Sequence, residues 1–89
     1  MESRPNALVI HESDNVAVTL KDMKKGETVR LMDGRLLEAF EDIPYSHKIA
    51  LQDLAPGEDI LKYGEIIGQA KEDIKMGDWV HVHNLVIED

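Results

Sequence analysis

The chain has 89 residues and no cysteine, and its ten Lys and Arg against eighteen Asp and Glu give a formal net charge of −8 at pH 7. A chain this short folds as one domain that buries only roughly 60 to 65% of its unfolded surface, so we expect no deep ligand pocket of its own. The acidity disfavours nucleic acid and anionic membranes as partners, and the lack of cysteine excludes disulfides and thiolate metal sites.

Near the start, the longest apolar run is ALVI at residues 7–10, which is too short for a signal-peptide core or a membrane span. We therefore predict a cytoplasmic protein that is complete from its first residue. The single domain is expected over residues 1–89, with its core at about 6–86.

Short apolar or alternating segments, rather than a helical stripe, follow one another along the chain. In order, they read ALVIH, NVAVTL, TVRLM, HKIAL, EDILKY, EIIGQA and WVHVHNL. The sequence thus predicts an all-β domain, a compact β-clip or small barrel with single-turn helices between short strands. Residues 36–43 (LLEAFEDI) fit either two helical turns ended by Pro44 or a strand.

A weak repeat punctuates these strands in residues 21–29, 52–60 and 72–80. Each copy contains Asp, an apolar residue, two further residues, Gly, an acid, one residue and a β-branched residue. The aspartates are predicted to cap a helical or 3₁₀ turn that the glycine ends in a left-handed conformation. The capping residues would be Asp22, Asp53 and Asp73, and the left-handed glycines Gly26, Gly57 and Gly77.

The last predicted strand contains two histidines on either side of one valine. If it is extended, one face carries the odd-numbered residues and the other the even-numbered ones. The first face would hold Trp79, His81, His83 and Leu85, and the second, facing the core, Val80, Val82 and Asn84. The two imidazoles would lie roughly 6.5 to 7 Å apart, a spacing that suits one metal ion, one substrate or a merely polar strand face.

Other candidates are weaker on the residues alone. His47 follows a turn and shares its face with Ile49 and Leu51, as a core or boundary histidine would, and His11 is expected at the surface. Lys48 and Lys62 are cations that could meet an anionic ligand. Gly64 is expected in a hairpin turn and Gly68 at a bulge or a close contact, because neither phosphate-loop spacing is present.

Three stretches together resemble the amino-terminal SAF domain of the altronate and galactarate dehydratase family, which includes the free-standing small subunit of sulfolactate sulfo-lyase. They are HKIAL at 47–51, KYGEIIG at 62–68 and HVHN at 81–84. The resemblance covers roughly residues 6–86. One departure is Ser46, which stands where the family often has glycine.

The resemblance implies a β-clip fold like that of type III antifreeze protein, and a lyase that dehydrates a sugar acid such as altronate or galactarate. The chain would be a small subunit, inactive alone, that shares an active site with a large catalytic subunit. A divalent metal, iron(II) or else manganese(II), would be held mainly by that partner. The implied catalytic residues are His47, His81 and His83, the substrate contacts Lys48 and Asn84, and the metal-proximal groups His81 and His83.

Two alternatives to the dehydratase subunit remain open. The first is the small subunit of a sulfolactate sulfo-lyase. The second is a non-catalytic SAF module that binds carbohydrate or supports assembly, because a fold by itself does not determine function.

Overall fold

The computed structural model describes residues 4–87, and the regular elements in that range are all β-strands. They are β1 Ala7–Leu8, β2 Val16–Thr19, β3 Thr28–Arg30, β4 Leu36–Glu38, β5 Lys48–Ala50, β6 Asp59–Lys62, β7 Glu65–Ala70, β8 Trp79–Val80 and β9 Leu85–Ile87. The all-β prediction is confirmed, and the ambiguous segment 36–43 contains β4. No helix in the described part of the chain is long and apolar enough to cross a membrane.

Three small antiparallel sheets make up the domain, with the orders β1-β2-β5-β8, β3-β4 and β6-β7-β9. In the largest sheet β5 lies between β2 and β8, so that Lys48 pairs with Val18 on one side and with Val80 on the other. This register brings the turn before β5 next to the end of β8. The segment that contains His47 and the segment that contains His81 are therefore adjacent in the structure.

Four β-turns, rather than helical turns, launch β3, β5, β6 and β8. They span residues 24–27, 44–47, 55–58 and 75–78, and in each the N–H of the last residue donates to the carbonyl of the first, over 2.9 to 3.2 Å. The third residue of each turn has a positive φ, as a type II turn requires. These residues are Gly26 at 88°, Ser46 at 69°, Gly57 at 89° and Gly77 at 95°.

The prediction of left-handed glycines is confirmed, but the predicted capping of helical turns by the repeat aspartates is wrong. Asp22 accepts a hydrogen bond from the N–H of Tyr45 in the second turn, and Asp53 accepts one from Met76 in the fourth turn, both over 2.9 Å. Asp73 has no equivalent bond because Pro56 lacks an N–H at the corresponding position. The aspartates thus connect pairs of turns.

The core is divided into two clusters of buried side chains. The first comprises Ala7, Ala17, Met23, Val29, Leu31, Ala39, Ile43, Ile49 and Leu51. The second comprises Val16, Ala50, Leu54, Ile60, Ala70, Ile74, Val80 and Leu85. Residues on adjacent positions of β5 and β2 enter different clusters, so the largest sheet separates the two clusters.

The two glycines assigned to β6–β7 behave as expected. Tyr63 and Gly64 both have positive φ, 59° and 77°, which is the pattern of a two-residue type I′ hairpin turn. A Cβ on Gly68 would lie 2.2 Å from the carbonyl oxygen of Val86, so this position requires glycine for the close approach of β9.

Candidate functional site

Three of the four histidines gather around the one tryptophan of the chain. The Trp79 ring lies 5.5 Å from the rings of His47, His81 and His83, measured between centroids, and it is stacked on His81 at an interplanar angle of 12°. The His47 and His81 rings lie 4.9 Å apart. His47 and His81 are half-buried and His83 is exposed, so the cluster opens to the surface.

His47 is the fourth residue of its turn, and in the other three turns the residue at this position has a structural role. There, the fourth residue is an acid whose carboxylate accepts a hydrogen bond from the N–H of the first residue over 2.8 to 3.0 Å. Those acids are Glu27, Glu58 and Asp78. In the turn at 44–47 the first residue is Pro44, which has no N–H to be capped, and the imidazole stands in place of the acid.

The turn at 44–47 therefore differs from its three equivalents in its first, third and fourth residues at once. Ser46 takes the left-handed conformation without being glycine, which costs roughly 1–2 kcal/mol. Strain of this kind persists where surroundings hold it, and it is concentrated at functional sites. Releasing position 47 from turn capping leaves its imidazole available for other contacts.

The segment after Val80 is a turn and not the continuation of a strand, so the prediction of an extended strand through residue 85 is wrong. Val80 is fully buried, as expected, but Val82 is 62% exposed and does not face the core. His81 and His83 consequently do not project side by side from one strand face; each meets Trp79 from a different direction, at interplanar angles of 12° and 59°.

Asn84 creates this turn. Its side-chain oxygen accepts a hydrogen bond from the N–H of His81, its amide nitrogen donates to the carbonyl of Trp79, and its own N–H donates to the carbonyl of His81. It is 4% exposed. The strand does not continue, because the Asn84 side chain bonds to the backbone of Trp79 and His81 in place of the ladder hydrogen bonds that a further strand residue would have made.

Two other asparagines hold strands in the same way. Asn6 bonds to the carbonyl of Thr28 and the N–H of Arg30, and Asn15 to the carbonyl of Asp59 and the N–H of Leu61. Both polar groups of the Asn84 amide are therefore occupied in a recurring structural role. Its expected contact with substrate stays a prediction, and the structure assigns it the placement of the His81 backbone.

The surface that contains His47, Lys48, Lys62, His81 and His83, which we call the histidine corner, differs electrostatically from the rest of this acidic protein. Partial burial, reinforced by His47, Lys48 and His83, lowers the pKa of His81, and burial together with Lys62 lowers the pKa of Lys48. Within residues 4–87 neither lysine forms an ion pair with a carboxylate. Like charges placed together without counter-ions are unfavourable unless an anion from outside satisfies them.

Two further residues contribute to this corner: Trp79, to which the sequence pattern gave no role of its own, and Lys62, which was expected only as a cation that could meet an anionic ligand. Trp79 donates its indole N–H to Nδ1 of His47 over 3.1 Å, and the ammonium of Lys62 lies 4.6 Å from the centroid of the Tyr63 ring. A lone tryptophan two residues before His81 was the available signal. Its contact with His47 depends on the pairing of β5 with β8, which no local pattern reveals.

His11 lies apart from the cluster, as expected for a surface residue. It is exposed, and its Nδ1 accepts a hydrogen bond from the N–H of Ser13 over 3.1 Å. The structure thus brings together His47, His81, His83 and Lys48 among the expected site residues, and leaves His11 outside.

The described part of the chain does not provide a metal site of its own. No group of three or more His, Asp or Glu side chains within residues 4–87 is placed to hold a metal ion. Nδ1 of His47 is engaged by the indole N–H, which removes that lone pair from ligation. No step of the chemistry proposed below is routed through a metal.

The fold and the site thus define a small all-β domain that presents half-buried imidazoles and lysines at its surface. Residues 5–88 match the family model described as the altronate/galactarate dehydratase SAF domain, and the chain belongs to this family.

The curated relatives include both long enzymes and a short subunit. Altronate dehydratase of Bacillus subtilis (strain 168) is 45% identical over 75 residues, which are 84% of this chain and 15% of the relative. Galactarate dehydratase (L-threo-forming) of Escherichia coli (strain K12) is 38% identical over 80 residues, again 15% of its length. The (2R)-sulfolactate sulfo-lyase subunit alpha of Chromohalobacter salexigens is 34% identical over 84 residues, which are 86% of this chain and 89% of the relative.

The chain therefore spans about 15% of the length of the dehydratases but almost the whole of the sulfo-lyase alpha subunit. It corresponds to a small part of the former and to most of the latter.

Proposed function

We propose that the chain is the small SAF subunit of a two-chain lyase that dehydrates a sugar acid such as altronate or galactarate. The single observation that carries this proposal is its similarity to most of a separate lyase subunit, combined with 45% identity over 75 residues to an altronate dehydratase. The large catalytic subunit, the sugar-acid substrate and the cytoplasmic location belong to the proposal.

The residues of the histidine corner suit the elimination. Dehydration removes a proton from the carbon beside the carboxylate and expels a hydroxyl group from the next carbon, so a proton must be accepted from the carbon and one delivered to the departing oxygen. His81 suits the acceptor, because its lowered pKa keeps the imidazole neutral near pH 7. The hydroxyl leaves as water when it takes up the proton that His81 has accepted, and His47, whose ring lies 4.9 Å from that of His81, suits a hydrogen-bond donor to this hydroxyl.

Lys48 suits the substrate carboxylate, because it is half-buried beside His81 and lacks an acidic partner within the described residues. His83 is exposed at the rim, where we propose that it meets the substrate or the large subunit. Iron(II), or else manganese(II), would be held mainly by residues of that large subunit, since residues 4–87 of this chain contain no group of three or more ligands placed to bind it.

A second candidate function is that of the small subunit of a sulfolactate sulfo-lyase. The observation in its favour is the 89% coverage of the alpha subunit of that enzyme, since the dehydratase relatives contain the domain within a much longer chain. The acid–base groups would be the same, and the leaving group would be sulfite in place of water.

Reconstitution with a large chain of the same family that lacks its own SAF domain tests the proposal. We expect turnover of altronate or galactarate by the pair and none by either chain alone. If the pair turns over sulfolactate but neither altronate nor galactarate, the second candidate is favoured. Binding of neutral glycans by the isolated chain, measured by calorimetry, with no turnover by any pair, would identify a non-catalytic module instead.

A further inference from the structure

The hydrogen bond between Trp79 and His47 fixes where the proton of the His47 ring lies. An indole N–H is a donor only, whereas each nitrogen of a neutral imidazole is either a donor or an acceptor. Because Nδ1 of His47 accepts from the indole over 3.1 Å, Nδ1 carries no proton. The neutral ring then carries its proton on Nε2.

Nε2 of His47 is available to a ligand. Within residues 4–87 it has no hydrogen-bond partner, and no side-chain nitrogen or oxygen in that range is both fully buried and unpartnered. Nε2 is therefore reached by solvent. The ring thus offers an N–H donor, and not a lone pair, to whatever occupies the corner beside His81.

Trp79 is held in place without any ligand. The backbone N–H of Trp79 donates to the Glu41 carboxylate over 3.0 Å, and its backbone carbonyl accepts from the Asn84 side chain. Trp79 also pairs with Ile49 across β5 and β8. Its ring is also stacked on His81. The donor that sets the His47 tautomer is therefore preorganised by the fold.

We propose that Trp79 is a positioning residue that holds His47 as the Nε2–H tautomer, so that this histidine serves as a hydrogen-bond donor and not as a metal ligand. The identity of the group that accepts this hydrogen bond rests on the proposed function, where it is the departing hydroxyl. The tautomer itself does not depend on that function.

The test is ¹⁵N NMR of the histidine rings in the full chain at mildly alkaline pH, where the imidazoles are neutral. Protonated and unprotonated ring nitrogens differ widely in chemical shift. We expect His47 to be a single Nε2–H tautomer, with its Nδ1 coupled through the hydrogen bond to the indole nitrogen. In Trp79→Phe, which keeps a ring but removes the donor, the His47 signals should move toward a mixture of tautomers.

His11 is the internal control, because its Nδ1 accepts from the Ser13 N–H and has no contact with Trp79; its signals should not change. A proton on Nδ1 of His47 in the unsubstituted chain would overturn the proposal, and so would an unchanged His47 tautomer in Trp79→Phe. If the variant does not fold, the spectrum of the unsubstituted chain still decides. Since no turnover is measured, an inactive reconstituted pair would count against the lyase function and leave the tautomer standing.

Discussion

Asp14 and His81 show how the surroundings of single side chains decide their protonation. Burial raises the pKa of Asp14, but hydrogen bonds from the backbone N–H groups of Gly64, His11 and Tyr63, over 2.8 to 3.0 Å, bring the pKa below its usual value. In His81, burial and the neighbouring imidazoles and Lys48 all act in one direction and lower the pKa. One group holds a strained hairpin, and the other is kept neutral at the site.

Replacing Asp14 by Asn should destabilise the domain by about 1–3 kcal/mol, because an amide leaves at least one of these buried N–H groups without an acceptor. Chemical denaturation measures the change, with the exposed Glu12→Gln as the control. The native protein should also lose the Asp14 contribution as the pH falls through the lowered pKa, since a carboxylate with a depressed pKa stabilises the fold only while it is ionised. Equal stability of both variants would contradict this role.

His81 should titrate below the ordinary range of histidine. Its unfolded form binds a proton more readily than its folded form, so the free energy of unfolding should decrease as the pH falls through the ordinary histidine pKa. NMR titration of the ring gives the midpoint directly. A midpoint at or above the ordinary value would show that the cluster does not favour the neutral base.

The four turns form the repeated element of this fold, and their differences separate structural positions from functional ones. A Cβ on Gly77 would lie 2.2 Å from the carbonyl oxygen of Glu38, whereas one on Gly57 would meet nothing within 4 Å. Both have φ near 90°. The same substitution therefore tests backbone strain alone at one turn and strain plus a steric clash at the other.

Gly57→Ala should cost roughly 1–2 kcal/mol, the penalty of a left-handed alanine, and Gly77→Ala should cost clearly more. Thermal denaturation of the two variants provides the comparison. Similar losses would mean that the contact between the fourth turn and Glu38 relaxes easily.

Three of the four turns were predictable from the sequence because glycine and the following acid mark them. The turn at 44–47 was expected as a turn before His47 but not as a further copy of the repeat, since Ser46 and His47 replace both markers and Pro44 removes the N–H that the acid would cap. Only Asp42, Ile43 and Ile49 keep the pattern there. The very substitutions that hide the repeat are those that make His47 available for chemistry.

The histidine segment was predicted in its residues but not in its conformation. Alternation over residues 79–85 is compatible with a strand, and Val80 obeys it, but Asn84 bonds to the backbone of His81 and closes a turn. Such a side-chain hydrogen bond competes with the ladder and leaves no mark in a pattern of apolar residues. The meeting of His47 with Trp79 depends on sheet order, which local patterns do not contain.

Over the whole molecule, charge is unevenly distributed. The chain carries −8 overall, yet Lys48, Lys62 and the three histidines share one surface corner. A small carboxylate would be drawn to that corner, whereas a polyanion would be repelled by the rest of the surface. The corner lies open at the surface, and in the proposed function a second chain closes the site.

The most direct measurement is kcat/KM of the reconstituted two-chain enzyme with His47→Gln and His81→Gln, using His11→Gln as the matched control. His81→Gln should lower kcat/KM by about 10²–10⁴-fold, the range for loss of a general base, and His47→Gln by about 10²–10³-fold, the range for loss of a positioned hydrogen-bond donor, while His11→Gln leaves it unchanged. Full activity of both site variants would contradict the claim that this chain contributes catalytic histidines to a shared active site.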